Sequence, residues 1–327
     1  MTKYRFQGLI ILFCIGMMGC PGTDKTAEHT TKMERIPAPV FNADSAYDFV
    51  NKQVSFGPRV PNTSPHVKCG DYLINSFKKY GAKVTVQSFE AKAYDGKSLM
   101  LRNIIASYNP DAGKRIILAA HWDTRPFADH DPDKSYYNKP IDGANDGGSG
   151  VGILIEVARA MNGFKSRPGV GVDLILFDGE DHGAPEEYDG THTDTWCLGS
   201  QYWAKNPHSN AYYGILLDMV GAKDASFAME GLSRQYAGSI VQNVWQTGNM
   251  LGYSRYFIYK ETRPITDDHA YINENAKIPM IDIIEFKEGD NYFGSYWHTH
   301  NDNMSIIDKN TLKAVGQTLL EVVYNER

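Results

Sequence analysis

The sequence predicts an α/β fold of three layers, a mixed and mostly parallel central β-sheet covered by helices on both faces. Three observations carry this. Apolar, strand-length runs alternate with helical periodicity along most of the chain. The runs Lys114–His121, Val172–Phe177, Ile215–Val220 and Lys277–Glu285 are largely apolar, as strands covered on both sides are. Several of them end in acids or histidine: His121 and Asp123, Glu180 and Asp181, Asp218. Open α/β sheets hold ligands outside the carboxyl ends of their strands, so these five groups are expected to meet in one crevice.

The elements follow in order. Asn42 caps a helix through Asn51, with Ala46, Phe49 and Val50 at helical spacing. A second helix covers Ser64–Tyr80 and closes at Gly81. Ala82–Glu90 alternates polar with apolar residues and reads as a strand, followed by another over Leu99–Tyr108. These two are expected to form a hairpin on an antiparallel edge. Lys114–His121 is a strand, and Gly148–Met161 a helix whose apolar face holds Val151, Leu154, Ile155, Val157 and Ala158. Val172–Phe177 is the next strand and Thr195–Lys205 the next helix. Ile215–Val220 is a strand, Tyr236–Leu251 a long helix, Lys277–Glu285 a strand and Asp308–Tyr324 a closing helix.

The 327 residues are 42% hydrophobic and can bury a large core. The net charge of −6 is spread along the chain, and the absence of a basic block argues against a nucleic-acid partner. Residues 1–20 have a secretory layout: Lys3 and Arg5, an apolar run from Gly8 to Gly19, then Cys20. Gly19-Cys20 resembles a bacterial lipoprotein cleavage site, although Met17 and Met18 are not favoured there. Residues 21–38 read as a polar tether, and 39–327 as a single catalytic domain. This organisation implies an exported, periplasmic protein held to a membrane only through a lipid on Cys20. Cys69 and Cys197 remain in the domain, where either a disulfide or two buried thiols are compatible with the sequence.

Glu180 and Asp181 are the most telling pair. Side chains alternate on extended backbone, so one of them can bind a metal while its neighbour stays free to move protons. Asp146 lies in a glycine-rich turn before a helix, where it either caps the helix or ligates a metal. The turn lacks the lysine of a phosphate-binding loop. His298 follows Trp297, which supplies a dry wall, and the acids after it could orient the ring; His300 reads as exposed. Two carboxylates and an imidazole, with a fourth position open, form the catalytic zinc pattern and not an all-oxygen calcium set. Spacing alone does not identify such a site.

Six runs occur in order: His121-Trp-Asp-Thr124, Gly143-Ala-Asn-Asp146, Phe177-Asp-Gly-Glu-Asp181, Leu217-Asp-Met-Val-Gly-Ala222, Asp267-Asp-His269 and Trp297-His-Thr299. Together they resemble the M28 zinc aminopeptidase superfamily and, within it, the glutaminyl cyclases. The likeness runs from about residue 40 to the C-terminus. The Leu217 run, the doubled acid before His269 and Trp297 directly before His298 favour the cyclase branch. The stretch His121–Asp129 is similar to the bacterial form.

The resemblance implies one zinc per chain on Asp146, Asp181 and His298. Asp181 departs from the Glu usual at that position in animal cyclases. It implies Glu180 as general base and acid, and Asp218 with Asp267 as an acidic hydrogen-bond relay; Asp268 takes the second role if the correspondence slips by one. Trp297, Phe293, Trp196 and Ile265 would line the substrate pocket. The implied substrate is a peptide or secreted protein with N-terminal glutamine, cyclised to pyroglutamate with loss of ammonia, and the implied state is a monomer. The superfamily also supplies the rival, a two-zinc aminopeptidase, because His121 and Asp218 are both present. On the cyclase reading, Asp218 is tied to Asp267 through a shared proton, since two close carboxylates do not both ionise. A non-catalytic, surface-anchored binding domain is the third alternative, but it would normally have lost a ligand or the base. The polar loop Ala184–Thr195 is expected to edge the mouth of the site or to be plain solvated surface.

Overall fold

The computed structural model describes residues 35–185, 188–190, 194–287, 289 and 292–326. The expected signal segment with Cys20, most of the expected tether and part of the loop before Thr195 lie outside these residues. From Ile36 onward the chain forms one compact unit. Ile36 N–H already donates to Asn325 Oδ1, ahead of the expected domain start at 39.

Every helix and strand expected above is present, with shifted ends. Asn42 caps α1 (Ala43–Val54) and Thr63 caps α2 (Ser64–Lys79), which has a proline in its first turn. β1 (Lys83–Lys92) and β2 (Ser98–Tyr108) pair antiparallel at one sheet edge. β3 (Arg115–His121), α3 (Gly148–Gly163), β4 (Gly171–Phe177), α4 (Leu198–Lys205) and β5 (Tyr213–Asp218) follow. β6 (Phe227–Met229) and β7 (Phe257–Glu261) form a small parallel pair flanking α5 (Gly231–Met250). The chain closes with α6 (Asp268–Tyr271), β8 (Met280–Ile284) and α7 (Lys309–Asn325). The main sheet runs β1-β2-β4-β3-β5-β8, with β4, β3, β5 and β8 parallel.

Alternation on the central strands sorts their side chains between two layers. Ile116, Leu118 and Ala120 join the larger core with residues of α1, α2, α3, α5 and α7. Ile117 and Ala119 join a smaller core with Trp203 of α4 and Ile272. The strand order reverses at β3, and the loops after β3, β4 and β5 open beside one another there. β6, β7 and α6 were not foreseen, being too short for a periodicity to register.

Cys69 and Cys197 are both buried free thiols, which settles the disulfide question. Two elements have one end moved because the backbone turns left-handed. β5 ends at Asp218 because Met219 has φ 49°, and α4 begins only at Leu198 because Cys197 has φ 54°.

α5 starts at Gly231, five residues before the expected start. Its cap is Glu230, a residue type that carries no strong capping signal. The buried Glu230 carboxylate accepts from Leu232 N, Ser233 N, Ser233 Oγ, Ile265 N and His269 Nε2 at 2.7–3.1 Å. It thereby ties the loop bearing Ile265 and Asp267 to α5. Burial acts to raise its pKa, but the donors, His269 foremost, overcome this and hold it down to about 2.

Because the folded pKa lies below the unfolded one, the native state takes up this proton later than the unfolded chain. The stabilisation is whole above the usual carboxylate range of about 4.3 and is lost as pH falls toward 2. Glu230→Ala is expected to cost about 3–5 kcal/mol, because it strands buried donors. Urea unfolding followed between pH 7 and pH 3 checks both points: the gap between parent and variant should narrow with acidity.

Candidate active site

A cavity of about 480 Å³ opens at the carboxyl ends of β3, β4 and β5. Asp146, Glu180, Asp181, Asp218, Asp267 and His298 all line it. So do the four residues expected to form the pocket, Trp196, Ile265, Phe293 and Trp297. Asp194 also lines it, so the described end of the 184–195 loop does edge the mouth.

Asp146 does not cap α3. The N-cap is Gly147, and no side-chain capping bond is made. Gly147 has φ +76°, and a Cβ there would lie 2.8 Å from the His121 ring, so glycine lets the turn press against the imidazole. Asp302 accepts the backbone N–H groups of Asn145 and Asp146 at 2.8 and 3.0 Å and fixes the turn. Asp123 does the same for Glu180 and Asp181, at 3.0 and 3.2 Å.

Asp146 then stands between two imidazoles. Its Oδ2 lies 3.8 Å from His298 Nε2, and its Oδ1 lies 3.0 Å from His121 Nε2. Two three-residue clusters result, each with ligand atoms mutually within 4.8 Å: Asp146 with Asp181 and His298, and His121 with Asp146 and Asp218. They differ in kind. In the second, His121 Nε2 and Asp218 Oδ1 form a hydrogen bond of 3.2 Å. In the first, His298 Nε2 approaches Asp181 Oδ1 to 3.1 Å, yet neither buried Asp181 oxygen accepts a hydrogen bond among the described residues. Converging ligand atoms, the two Asp181 oxygens among them buried and unpartnered, fit a cation.

The electrostatics agree. Burial, only partly opposed by Arg125, pushes Asp181 up to about 8. Burial and then the Arg125 charge push His298 down to about 4, which leaves a neutral imidazole, the form that ligates. Glu180 is raised well above the usual range, first by burial and then by Asp267, Asp181 and Asp268, against His121. Its Oε2 lies 3.9 Å from His121 Nδ1, and its Oε1 accepts from Cys197 Sγ at 3.2 Å. Asp267 is pushed up to about 6 by burial and then by Asp218.

The expected tie between Asp218 and Asp267 takes a different form. Asp218 is hydrogen-bonded to His121, while Asp267 caps α6 by accepting from Asp268 N–H. Asp267 feels Asp218 through its charge. Asp268 is wholly buried and is raised by burial and by Asp267.

The acids following His298 do not orient its ring. Asp302 holds the 145–146 turn and the ring faces Asp129 instead, with Nδ1 3.5 Å from Asp129 Oδ1. Arg125 grips Asp129 through two nitrogens, at 2.7 and 2.5 Å, and reaches the carbonyls of Asp181 and Gly183. Its guanidinium lies 4.7 Å from the Trp196 ring centroid. Trp297 stacks on His298 at 3.8 Å, and Trp196 lies parallel to it at 6.1 Å. Arg125 and Asp129 lie in the His121–Asp129 stretch that resembles the bacterial form, but nothing in the sequence assigned either a role. His300 is exposed, as expected, and pairs with Asp131.

With this geometry in place, likeness to known proteins is informative. The model of peptidase family M28 matches residues 103–323. The chain belongs to that family. It is 54% identical to a Zn-dependent exopeptidase from Parabacteroides distasonis, with a TM-score of 0.86 over 89% of this chain and 100% of that one. It is 53% identical to the glutaminyl cyclase of Bacteroides thetaiotaomicron, solved bound to N-acetylhistamine, with the same TM-score and coverage. The glutaminyl-peptide cyclotransferase of Drosophila melanogaster is 27% identical over 285 residues, 77% of this chain and 72% of that protein. The family and these neighbours make zinc the cofactor, and the Asp146–Asp181–His298 cluster fits it.

An acid that faces the distal nitrogen of a ligating imidazole sets its tautomer and strengthens it as a ligand. Asp129→Ala is therefore expected to weaken zinc binding by about 10–100-fold. Competition against a chromophoric chelator measures this; unchanged affinity would remove Asp129 from the assembly.

Proposed function

We propose that this chain is a zinc-dependent glutaminyl-peptide cyclotransferase that converts N-terminal glutamine of peptides and proteins to pyroglutamate and ammonia. One observation carries the reading: Glu180, which takes no part in the Asp146–Asp181–His298 cluster, faces the same cavity beside that cluster. The glutaminyl cyclases among its close relatives support it.

Asp146, Asp181 and His298 would hold the zinc, which supplies a Lewis acid for the substrate's γ-amide carbonyl. Glu180 removes a proton from the α-amine as that nitrogen attacks the amide carbon. The N–C bond of the ring forms, the bond from carbon to the amide nitrogen breaks, and Glu180 returns the proton to the departing ammonia. Its raised pKa suits both tasks, since a carboxyl poised nearer neutrality accepts and donates with less penalty. Asp267, itself pushed up by Asp218, acts on Glu180 through its charge, in place of the hydrogen-bonded relay the resemblance implied. Nucleophile and electrophile belong to one molecule, and in well-oriented cases proximity contributes up to roughly 7–11 kcal/mol.

Trp297, Phe293, Trp196 and Ile265 wall the cavity and keep out the water that would turn glutamine into glutamate. The apolar run before Cys20 supports export to the periplasm with a lipid on that residue; Cys20→Ser should then lose incorporation of a labelled fatty acid.

The second cluster favours one rival, the two-zinc aminopeptidase. Against it, the hydrogen bond between His121 and Asp218 closes that cluster on itself. Metal analysis should find one zinc per chain. Ammonia release from a glutamine-initiated peptide should far exceed amine release from a leucine-initiated one; two zincs with the opposite preference would establish the rival. Glu180→Gln should retain zinc and lose about 10²–10⁴-fold in turnover, and full activity in that variant would refute Glu180 as the base.

A further inference from the structure

We propose that Cys197 is a positioning residue for Glu180: its thiol donates to Glu180 Oε1 and holds the carboxylate in the orientation that moves the proton. The inference rests on Glu180 being the base.

Three features of the structure carry it. The Sγ lies 3.2 Å from Glu180 Oε1, with Cys197 only 1% exposed. The backbone binds the same partner, since Cys197 N–H donates to Glu180 O at 2.9 Å and Leu198 N–H to Gly179 O at 3.1 Å. The residue also holds a left-handed conformation, φ 54°, at the start of α4. A non-glycine residue there is strained, and such strain persists where the surrounding structure enforces it, commonly at functional sites. Here it delivers a side chain to the glutamate; glycine would ease the backbone and deliver none.

The chemistry explains why the donor is a thiol. Cys197 is buried beside Glu180, Asp267 and Asp268, surroundings that keep it neutral and exclude a nucleophilic thiolate. An S–H is a weak donor. A lysine or arginine in its place would clamp the carboxylate and depress its basicity, and an apolar side chain would leave it free to rotate. A thiol fixes direction while leaving the oxygen able to take up and release a proton. No water or strong cation need enter the pocket to do the same work.

Steady-state kinetics of Cys197→Ala and Cys197→Ser test this beside the parent. Losing one weak, orienting hydrogen bond should lower kcat of Cys197→Ala about tenfold. KM should stay within about twofold, because the substrate's binding contacts are untouched, and the melting temperature should fall by no more than a few degrees. Cys197→Ser should recover most of kcat, since its hydroxyl can donate to the same oxygen. An unchanged kcat in Cys197→Ala overturns the proposal, as does a loss of kcat, KM and melting temperature together that serine fails to rescue. Should these variants not fold, the infrared S–H stretch of Cys197 decides. It should shift to higher frequency in Glu180→Ala, where the acceptor is gone, and an unmoved band rejects the bond. An inactive Glu180→Gln with a fully active Cys197→Ala would sink this inference alone, whereas an active Glu180→Gln would sink the assignment of the base beneath it.

Discussion

Buried negative charge is the constraint on which the rest of the site depends. Six acids, Asp146, Glu180, Asp181, Asp194, Asp218 and Asp267, line one cavity at the end of a parallel sheet. Without compensation such a set does not stay ionised, and the upward pressure on Glu180, Asp181, Asp218 and Asp267 expresses this. The fold answers in two ways. Backbone amides are held by acids behind the cavity, Asp123 under the 180–181 turn and Asp302 under the 145–146 turn. The face toward the cavity is left to a cation. The same crowding that would destabilise an ordinary interior makes a tight divalent site, and it tunes Glu180 toward the range in which a carboxyl serves as both base and acid.

The backbone at the site is shaped for position over comfort. Among the described residues, Cys197, Met219 and His298 are all non-glycine residues with positive φ, and each lies at the cavity or directly behind Glu180. Met219 follows Asp218, His298 is itself a candidate ligand, and Cys197 donates to Glu180. Single residues in this region cost of order 1–3 kcal/mol, and the dense packing of Trp297, Trp196 and the paired cores offsets it. Gly183 shows how close that packing is, since a Cβ there would fall 1.8 Å from the Trp196 ring.

Much of this was legible in the sequence because burial and period are local properties. Largely apolar runs in β3, β4 and β5 marked strands covered on both faces, and the acids and histidine at their ends marked the crevice. What could not be read was anything set by three-dimensional return of the chain. Glu230 caps α5, yet it is recognisable only once Ile265 and His269 are seen to fold back onto it. Asp129 faces His298 across 169 positions of sequence, and the acids nearest His298 in the chain made a plausible but wrong substitute. Cys197 read either as half of a disulfide or as a buried thiol, and only the left-handed turn shows it laid against Glu180. Asp218 and Asp267 were legible as a pair but not as to bonding, because which acid takes His121 and which caps α6 depends on backbone direction.

The aromatic wall and the metal cluster are one mechanical unit, and this bears on how the site tells cyclisation from hydrolysis. Arg125 binds Asp129, the acid facing His298; it reaches the carbonyls of Asp181 and Gly183; and it lies over the face of Trp196. Trp297 and Trp196 both lie parallel or nearly so to the His298 ring. A shift of Trp297 is therefore felt at His298, and a shift of Trp196 is felt at Arg125 and through it beside Asp181 and His298. Keeping water from the amide carbon requires the walls to stay closed while the carbonyl is polarised. Joining both to one buried guanidinium makes closure and polarisation a single geometric condition, where independent supports would let one relax without the other.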